Sequence, residues 1–230
     1  MSTASFYNPG VFIGHYALAF GAKRYAPAVS LGTLFLACQF ADLLWPTLVV
    51  LGIEQVEVDP GNTVLTPLNF VSYPYSHSLV MLVIWSALFA LAYRTIKGWR
   101  PAAIAIVATL VFSHFVLDFV THRPDLPITL AGDRRVGLGL WNTPAVAIAI
   151  ELALFAAGTA IYVVVTRARD RIGAIGLWTM VAFLTAIYVA ALFGPPPPNA
   201  SAVAMAGHLL WLFVAWAYWV DRHRAARLAP

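Results

Sequence analysis

The sequence predicts an all-α, polytopic membrane bundle with six spanning helices and one short N-terminal helix. Hydrophobic residues make up 61% of the chain and charged residues only 10%, whereas soluble domains carry about 25% charged residues. The mean hydropathy of +0.79 gives the same indication. The lipid bilayer is therefore the first expected partner, and residues 1–230 are expected to form a single integral membrane domain.

Six apolar runs are long enough, or nearly so, to cross the hydrocarbon as helices of about 20 residues. These runs cover residues 26–53, 78–93, 101–120, 145–166, 172–193 and 202–220. A shorter run at 9–22 follows Asn8, with Pro9 at the expected first helical position. At about 1.5 Å per residue it reaches about 21 Å, so we expect a tilted or partly inserted helix. Trp45-Pro46 predicts a kink in the first run.

Lys and Arg residues alternate between the two ends of these helices, with eleven at one end and three at the other. The eleven are Lys23, Arg24, Arg94, Lys97, Arg100, Arg167, Arg169, Arg171, Arg222, Arg224 and Arg227. By the positive-inside rule they face the cytoplasm together with the C-terminus. Arg123, Arg134 and Arg135 then rim the outward face, where they could hold a phosphate. The net charge of +4 reflects topology, and no nucleic-acid partner is expected.

The ionisable side chains inside the apolar runs share one depth, in the outward half of the bundle. They are Asp42, His77, His114, Asp118, Glu151 and His208. A charge near the bilayer centre costs on the order of 2.5–3.5 kcal/mol, so unrelated charges are not expected to collect in one layer. The layer predicts a polar cavity that opens to the outer face.

Imidazoles and carboxylates in this layer suit a divalent metal, with zinc the expected ion. The predicted ligands are His15, Asp42, His77, His114 and Asp118. His114 and Asp118 are four residues apart and project from one helix face, so they can chelate one ion. His122 lies about 12 Å along the axis from His114, where it could bind a second ion or act as an acid or base. No cysteine ligand accompanies them, so an open catalytic site is expected rather than a closed structural one.

Several alternatives remain open at the level of sequence. The His-x3-Asp pair could be a helix-packing hydrogen bond. Glu151 could be a proton shuttle, a ligand or a structural acid, and His208 a satisfied core histidine. Ser76 is the expected cap of the helix that follows, which would leave free N–H groups for an anionic headgroup. The alternative functions are an ion or metal transporter and a non-catalytic scaffold whose helices are held together by a structural metal.

The chain resembles the YdjM/YbcI-type inner-membrane metal-dependent hydrolases. The matching stretches are GHYALAFGAKR with His15, FADLLWP with Asp42, YSHSL with His77, SHFVLDFVTH with His114 and Asp118, and the later acid Glu151. They define a metal-site core at 9–155, whereas the additional helices at 172–220 match only in hydropathy. The stretch SHFVLDFVTHRPDLP also resembles the metal-binding helix of zinc-dependent phospholipases C and single-strand nucleases.

The chain also departs from these patterns. Leu44 stands where the hydrolases tend to have a second aspartate, and Tyr73-Pro74 where they often have His-Arg. Ala147 replaces a phospholipase histidine four residues before the late acid, which favours one or two ions over three. The resemblance implies an inner-membrane enzyme that hydrolyses an ester or phosphoester of a lipid-like molecule from the outer side. Glu151 or His122 would then carry protons.

Overall fold

The computed structural model describes residues 13–227, which are mostly helical. The helices are α1 (Ile13–Ala22), α2 (Leu31–Cys38), α3 (Phe40–Val50), α4 (Pro74–His77), α5 (Leu79–Lys97), α6 (Pro101–Thr121), α7 (Pro144–Val165), α8 (Arg171–Phe193), α9 (Ala200–His208) and α10 (Leu210–Arg222). Short strands pair within the connections between them. They are β1 (Gln55–Val58), β2 (Leu68–Ser72), β3 (Leu126–Pro127), β4 (Arg135–Val136), β5 (Thr166–Ala168) and β6 (Arg224–Ala226).

Five helical spans in the described residues are long and apolar enough to cross a membrane. They are α5, α6, α7, α8 and the span Ala200–Arg222, which α9 and α10 form together. The bent pair α2–α3 makes a sixth if it counts as one span. The structure is therefore mostly helical, with five or six apolar spans that could cross a membrane. The described part of the N-terminal helix, α1, has ten residues. Its predicted start at Asn8 lies outside the described residues.

The first apolar run is broken at Gln39, where α2 and α3 meet at an angle of 55°. This bend lies seven residues before Pro46, which is the site of the predicted kink and lies inside α3. Pro46 instead packs against α9 so closely that a Cβ on Gly207 would come 2.5 Å from its Cγ. The break ends α2 at Cys38, and the last carbonyls of a helix are free to accept hydrogen bonds from elsewhere.

The segments rich in Lys and Arg come together at one end of the bundle, here called the basic end. It comprises residues 23–30, 98–100, 166–170 and 223–227. Lys23 is buried there and donates to Asp221 Oδ1 at 2.8 Å. Strands β5 and β6 pair antiparallel, and buried Arg224 donates to Thr166 Oγ1 at 2.8 Å. The charge alternation thus correctly grouped these segments at one end.

The opposite end, here called the loop end, carries the longer connections. It comprises residues 51–73, 122–143 and 194–199. Its hairpin β1–β2 was not predicted, and arginines tie the loops together. Arg123 Nη2 donates to Asn69 Oδ1 at 2.8 Å, and Arg135 Nη2 donates to the Val71 carbonyl at 2.9 Å. Two of the three arginines expected to hold a phosphate are therefore engaged in loop contacts, while Arg134 is exposed.

Helix α1 lies inside the bundle because small residues let it approach α7. A Cβ on Gly158 would come 2.2 Å from the Ala17 carbonyl oxygen, so only glycine allows this contact. On its other side, Tyr16 and Phe20 pack against Phe35 of α2, and all three side chains are fully buried. This packing fixes the depth and rotation of α1, and with them the position of His15.

Candidate metal centre

The five predicted ligands meet on the loop-end side of the bundle. They are His15 on α1, Asp42 on α3, His77 on α4, and His114 and Asp118 on α6. Asp118 Oδ1 lies 3.3 Å from His15 Nε2, and Asp118 Oδ2 lies 3.3 Å from His114 Nε2. Asp42 Oδ1 lies 3.4 Å from His77 Nε2 and 3.6 Å from His114 Nε2. The structure therefore places together five side chains that are far apart in sequence.

The donor atoms fit a metal ion in spacing and in chemistry. His77, His114 and Asp118 offer ligand atoms within 4.8 Å of one another, as do His15, Asp42 and His114. A tetrahedral ion bound at about 2.0–2.1 Å separates neighbouring ligand atoms by about 3.3–3.4 Å. His114 Nε2 and Asp118 Oδ2 are buried without a hydrogen-bond partner in the described part of the chain. Burying such atoms unpaired is costly, and a cation between them would remove that cost.

The helix break at Gln39 orients the imidazole of His114. His114 Nδ1 lies 2.9 Å from the Cys38 carbonyl oxygen at the end of α2, so Nδ1 carries the proton and donates it. In the neutral imidazole the other nitrogen, Nε2, then carries the lone pair, and it faces the two aspartates. A backbone carbonyl that fixes the tautomer in this way is typical of metal-binding histidines. His15 stacks on the same ring, with centroids 4.0 Å apart.

A chain of hydrogen bonds from Glu54 through Ser76 orients His77. Ser76 Oγ donates to Glu54 Oε2 at 2.6 Å and lies 2.6 Å from His77 Nδ1. Because the single serine proton goes to the carboxylate, His77 Nδ1 must be the donor to Ser76, and Nε2 is left free. Sequence reasoning missed Glu54, which follows the first apolar run and looked like an ordinary loop charge.

Glu54 also corrects the predicted role of Ser76. The N–H groups of Tyr75 and Ser76 donate to Glu54 Oε1 at 2.8 and 2.9 Å, so they are not free for an anionic headgroup. The cap of the long helix α5 is Ser78, whose hydroxyl accepts from the Met81 N–H at 3.2 Å. The short helix α4 is thus held by a buried carboxylate, and it serves to present His77.

We expect Ser76→Ala to lower metal affinity about 10–100-fold, the usual cost of losing a group that orients a ligand. The matched control is Ser78→Ala, which removes a helix cap and is expected to cost about 1 kcal/mol of stability without changing metal affinity. Metal titration with a competing chelator measures the first effect, and thermal unfolding the second. Equal metal affinity in Ser76→Ala and the wild type would contradict the orienting role of this chain of hydrogen bonds.

His122 lies one turn beyond the cluster, at the C-terminal end of α6. Its Nδ1 is 3.0 Å from Asp125 Oδ1, and Tyr73 donates to the same oxygen at 3.0 Å. The carboxylate therefore accepts a hydrogen bond from Nδ1–H, and in the neutral ring Nε2 is the acceptor. The ring packs on Trp141 at 4.1 Å between centroids and lines the cavity described below. This is the arrangement of a general base held by an acid.

Asp125 was not among the residues singled out from the sequence. Burial alone would raise the pKa of its carboxyl, but hydrogen bonds from His122, Tyr73 and Arg123 outweigh burial and hold the pKa below its usual value. It is therefore an anion at neutral pH. Burial, followed by the charge of Asp125, raises the pKa of Tyr73 well above its usual value, so its hydroxyl stays a donor. A signal was present in the sequence, because Asp125 follows His122 by three residues and comes directly after Pro124.

Glu151 does not join the grouped ligand atoms, in contrast to one of its predicted roles. Its Oε2 accepts the backbone N–H of Gly14 at 2.7 Å, and a Cβ on Gly14 would come 3.1 Å from its Oε1. The carboxylate thus anchors α1 at Gly14, the residue before His15. Glu151 is not among the residues that line the cavity. The geometry favours a positioning role over proton transfer.

Glu151→Gln should therefore retain metal and most activity, because the amide oxygen of glutamine can still accept the Gly14 N–H. A proton shuttle at this position would instead lose about 10²–10⁴-fold in rate. Glu151→Leu removes the acceptor and should lower metal affinity through the displaced His15, by about 10–100-fold. Metal content and turnover measured on the two variants separate these roles.

His208 is a satisfied histidine, as one of its predicted interpretations holds. Its Nδ1 lies 2.8 Å from the Ala204 carbonyl, and its Nε2 lies 3.2 Å from Thr47 Oγ1. Nδ1 thus bonds within α9, and Nε2 links α9 to α3, so both nitrogens are engaged. His208 serves below as a control because it stays outside the cluster.

The centre opens into a cavity of about 520 Å³. The polar end of this cavity is lined by His15, Asp42, His77, Asp118, His122 and Trp141. The remainder is apolar and is formed largely by α8, α9 and α10. The volume falls within the range of roughly 300–1,000 Å³ that is typical of small-molecule sites. The centre is accordingly placed in the wall of a ligand-sized space.

Comparison of the chain with models of protein families, with curated protein sequences and with solved structures gives no match. The resemblance to inner-membrane hydrolases therefore stays a prediction from short motifs in residues 10–155. What the centre can do follows from its own side chains and from the cavity beside it.

Proposed function

We propose that the protein is a membrane-embedded, metal-dependent hydrolase that cleaves an ester or phosphoester bond of a lipid-like molecule. The observation that carries this proposal is the convergence of His15, Asp42, His77, His114 and Asp118 at one end of a ligand-sized cavity. His122 lies beside that end with one ring nitrogen held by Asp125. A metal site, a candidate base and a substrate space thus adjoin one another.

The nitrogen and carboxylate donors of the cluster suit one or two zinc ions. His114 and Asp118, four residues apart on α6, would hold an ion together with His77, and Asp42 and His15 complete the donor set. A bound divalent ion supplies Lewis acidity and lowers the pKa of water towards about 7. Glu54 and the Cys38 carbonyl keep the imidazole lone pairs directed at the centre.

His122 is the proposed catalytic acid and base. Its Nε2 would accept a proton from water as the new bond to carbon or phosphorus forms, and would return that proton to the leaving oxygen as the ester bond breaks. Asp125 keeps the proton of Nδ1 in place throughout, which prevents the ring from presenting the wrong tautomer. Trp141 covers one side of the ring and limits the access of bulk water to it.

The polar layer ends abruptly on the side that faces the basic end, and this favours hydrolysis over transport. Immediately below His15, the rings of Tyr16 and Phe20 pack against Phe35 with centroids 4.6 and 5.1 Å apart. A transport path would need polar groups or water at this level. The open cavity on the other side also favours a substrate site over a metal that only staples helices.

The proposed orientation places the basic end in the cytoplasm and the loop end outside, in an inner membrane. It is supported by the separation of eleven Lys and Arg residues from three, and by the contacts that collect the basic segments at one end. The C-terminus would then be cytoplasmic, and the cavity would receive its substrate from the outer leaflet.

Activity of the purified protein tests the proposal directly. Detergent-solubilised protein loaded with zinc should hydrolyse at least one member of a panel of lipid phosphoesters and carboxylic esters. A chelator should abolish the activity, and added zinc should restore it. If fully metal-loaded protein hydrolyses none of them, while vesicles that contain it pass zinc, the hydrolase proposal fails and transport replaces it.

A further inference from the structure

Beyond the metal centre, the cavity continues as a space bounded almost entirely by apolar side chains, here called the apolar arm. Its walls include Phe183, Ile187 and Ala191 on α8, Ala206 on α9, and Phe213 and Trp216 on α10. Apolar cavities of this kind stay dry and accept apolar ligands. No role beyond hydropathy was expected for these helices.

The arm is elongated and has a floor. Ala191 and Phe183 are eight residues apart on α8, which corresponds to about 12 Å along the helix axis. At the deeper end, the ring of Phe183 lies 6.1 Å from that of Phe213 and 5.8 Å from that of Trp216. These three rings close the arm near the middle of α8. The shape suits a single extended chain better than a compact molecule.

The arm is also open towards the lipid side of the bundle. Leu209 and Leu212 line the cavity and are nevertheless 58% and 63% exposed. They belong to a helical span long and apolar enough to cross a membrane, so their exposed faces are expected to meet hydrocarbon. The mouth of the arm therefore lies between α8 and the α9–α10 span, at membrane depth.

We propose that the apolar arm binds one acyl chain of a membrane lipid, which enters sideways between α8 and the α9–α10 span from the leaflet at the loop end. The polar part of the same lipid then lies at the metal centre, because the arm and the centre belong to one cavity. This inference deepens the proposed function, since it names the part of the substrate that the cavity binds. The floor formed by Phe183, Phe213 and Trp216 limits the chain length.

Adjacent alanines on α8 provide a matched test. Ala191 lines the arm, whereas the neighbouring Ala190 is exposed outside it. The probe is a phosphatidylcholine with a photoactivatable diazirine at the end of one acyl chain, reconstituted with the protein in vesicles. Crosslinking to Phe183 and Phe213 should fall about tenfold in Ala191→Trp and stay unchanged in Ala190→Trp. Equal crosslinking in both variants, or labelling spread evenly over lipid-facing residues, would overturn the proposal.

Two further variants keep the test decisive. Phe183→Ala removes part of the floor and should shift the strongest crosslinking to lipids with longer acyl chains; an unchanged length preference would contradict the floor. Asp118→Asn, which is expected to lack metal and activity, should still show crosslinking in the arm. If the acyl chain crosslinks in the arm but the wild type hydrolyses no lipid, only the proposed function is refuted. If the wild type hydrolyses lipid but no crosslinking occurs in the arm, only this inference is refuted.

Discussion

Replacing Asp118 by asparagine is expected to abolish tight metal binding and hydrolysis, while the protein still folds and inserts. The two oxygens of Asp118 lie 3.3–3.8 Å from the Nε2 atoms of His15, His77 and His114, so this side chain links three of the other four ligands. Asparagine keeps the size but removes the negative charge. We expect metal affinity to fall by more than about 100-fold, beyond the usual cost of losing a group that only orients a ligand.

The measurement is elemental analysis of purified protein together with a thermal unfolding curve. Asp59→Asn is the matched control, because it removes the same charge from an exposed loop position. The control should keep both metal and activity. Stoichiometric metal in Asp118→Asn at wild-type affinity would show that the ion binds elsewhere, and would remove the centre from the account.

His122→Asn is expected to lower the rate of hydrolysis by about 10²–10⁴-fold, the range for a missing general acid or base, and to leave metal content unchanged. Since His122 lies beyond the cluster and is held by Asp125, its loss should affect proton transfer only. His208→Asn is the control, because both nitrogens of His208 are used in contacts with Ala204 and Thr47.

Asp125→Asn tests the positioning of His122. The amide cannot hold the Nδ1 proton as a carboxylate does, so kcat should fall while KM and metal content stay near their wild-type values. A variant that merely loosened the loop would raise KM or lower stability as well. Wild-type kcat in His122→Asn would sink the assignment, and attention would turn to Glu151.

Several features of the centre were accessible from the sequence for a simple physical reason. Charged side chains are rare in membrane helices, so Asp42, His114 and Asp118 stood out against their apolar neighbours. The spacing of His114 and Asp118 indicated one face of a helix, and the structure brings both to the same centre. The grouping of basic segments at one end was likewise correct, since it follows from composition at the helix ends.

Other features depend on contacts that no local pattern contains. Glu54 lies in a connection, and only the fold brings it under Ser76. The bend at Gln39 has no proline or glycine next to it. The proline of this run, Pro46, lies within α3. Glu151 stood out by the same rule as the true cluster members, yet it packs behind α1 at Gly14. Depth in the membrane alone did not distinguish a ligand from a support.

The apolar arm shows the same limitation in the last two spans. Phe183 and Ala191 look like any lipid-facing residues in the sequence, because a cavity wall and a lipid-facing surface have the same composition. Their role depends on the separation of α8 from the α9–α10 span, which the hydropathy pattern does not encode.

The most direct test of the account is anomalous diffraction, collected at the zinc absorption edge, from crystals of protein that has been supplied with zinc. We expect an anomalous peak bounded by His114 Nε2 and Asp118 Oδ2, with His77 or His15 and Asp42 completing the ligands. Absence of a peak at this position in protein that carries stoichiometric zinc would contradict the proposed metal centre.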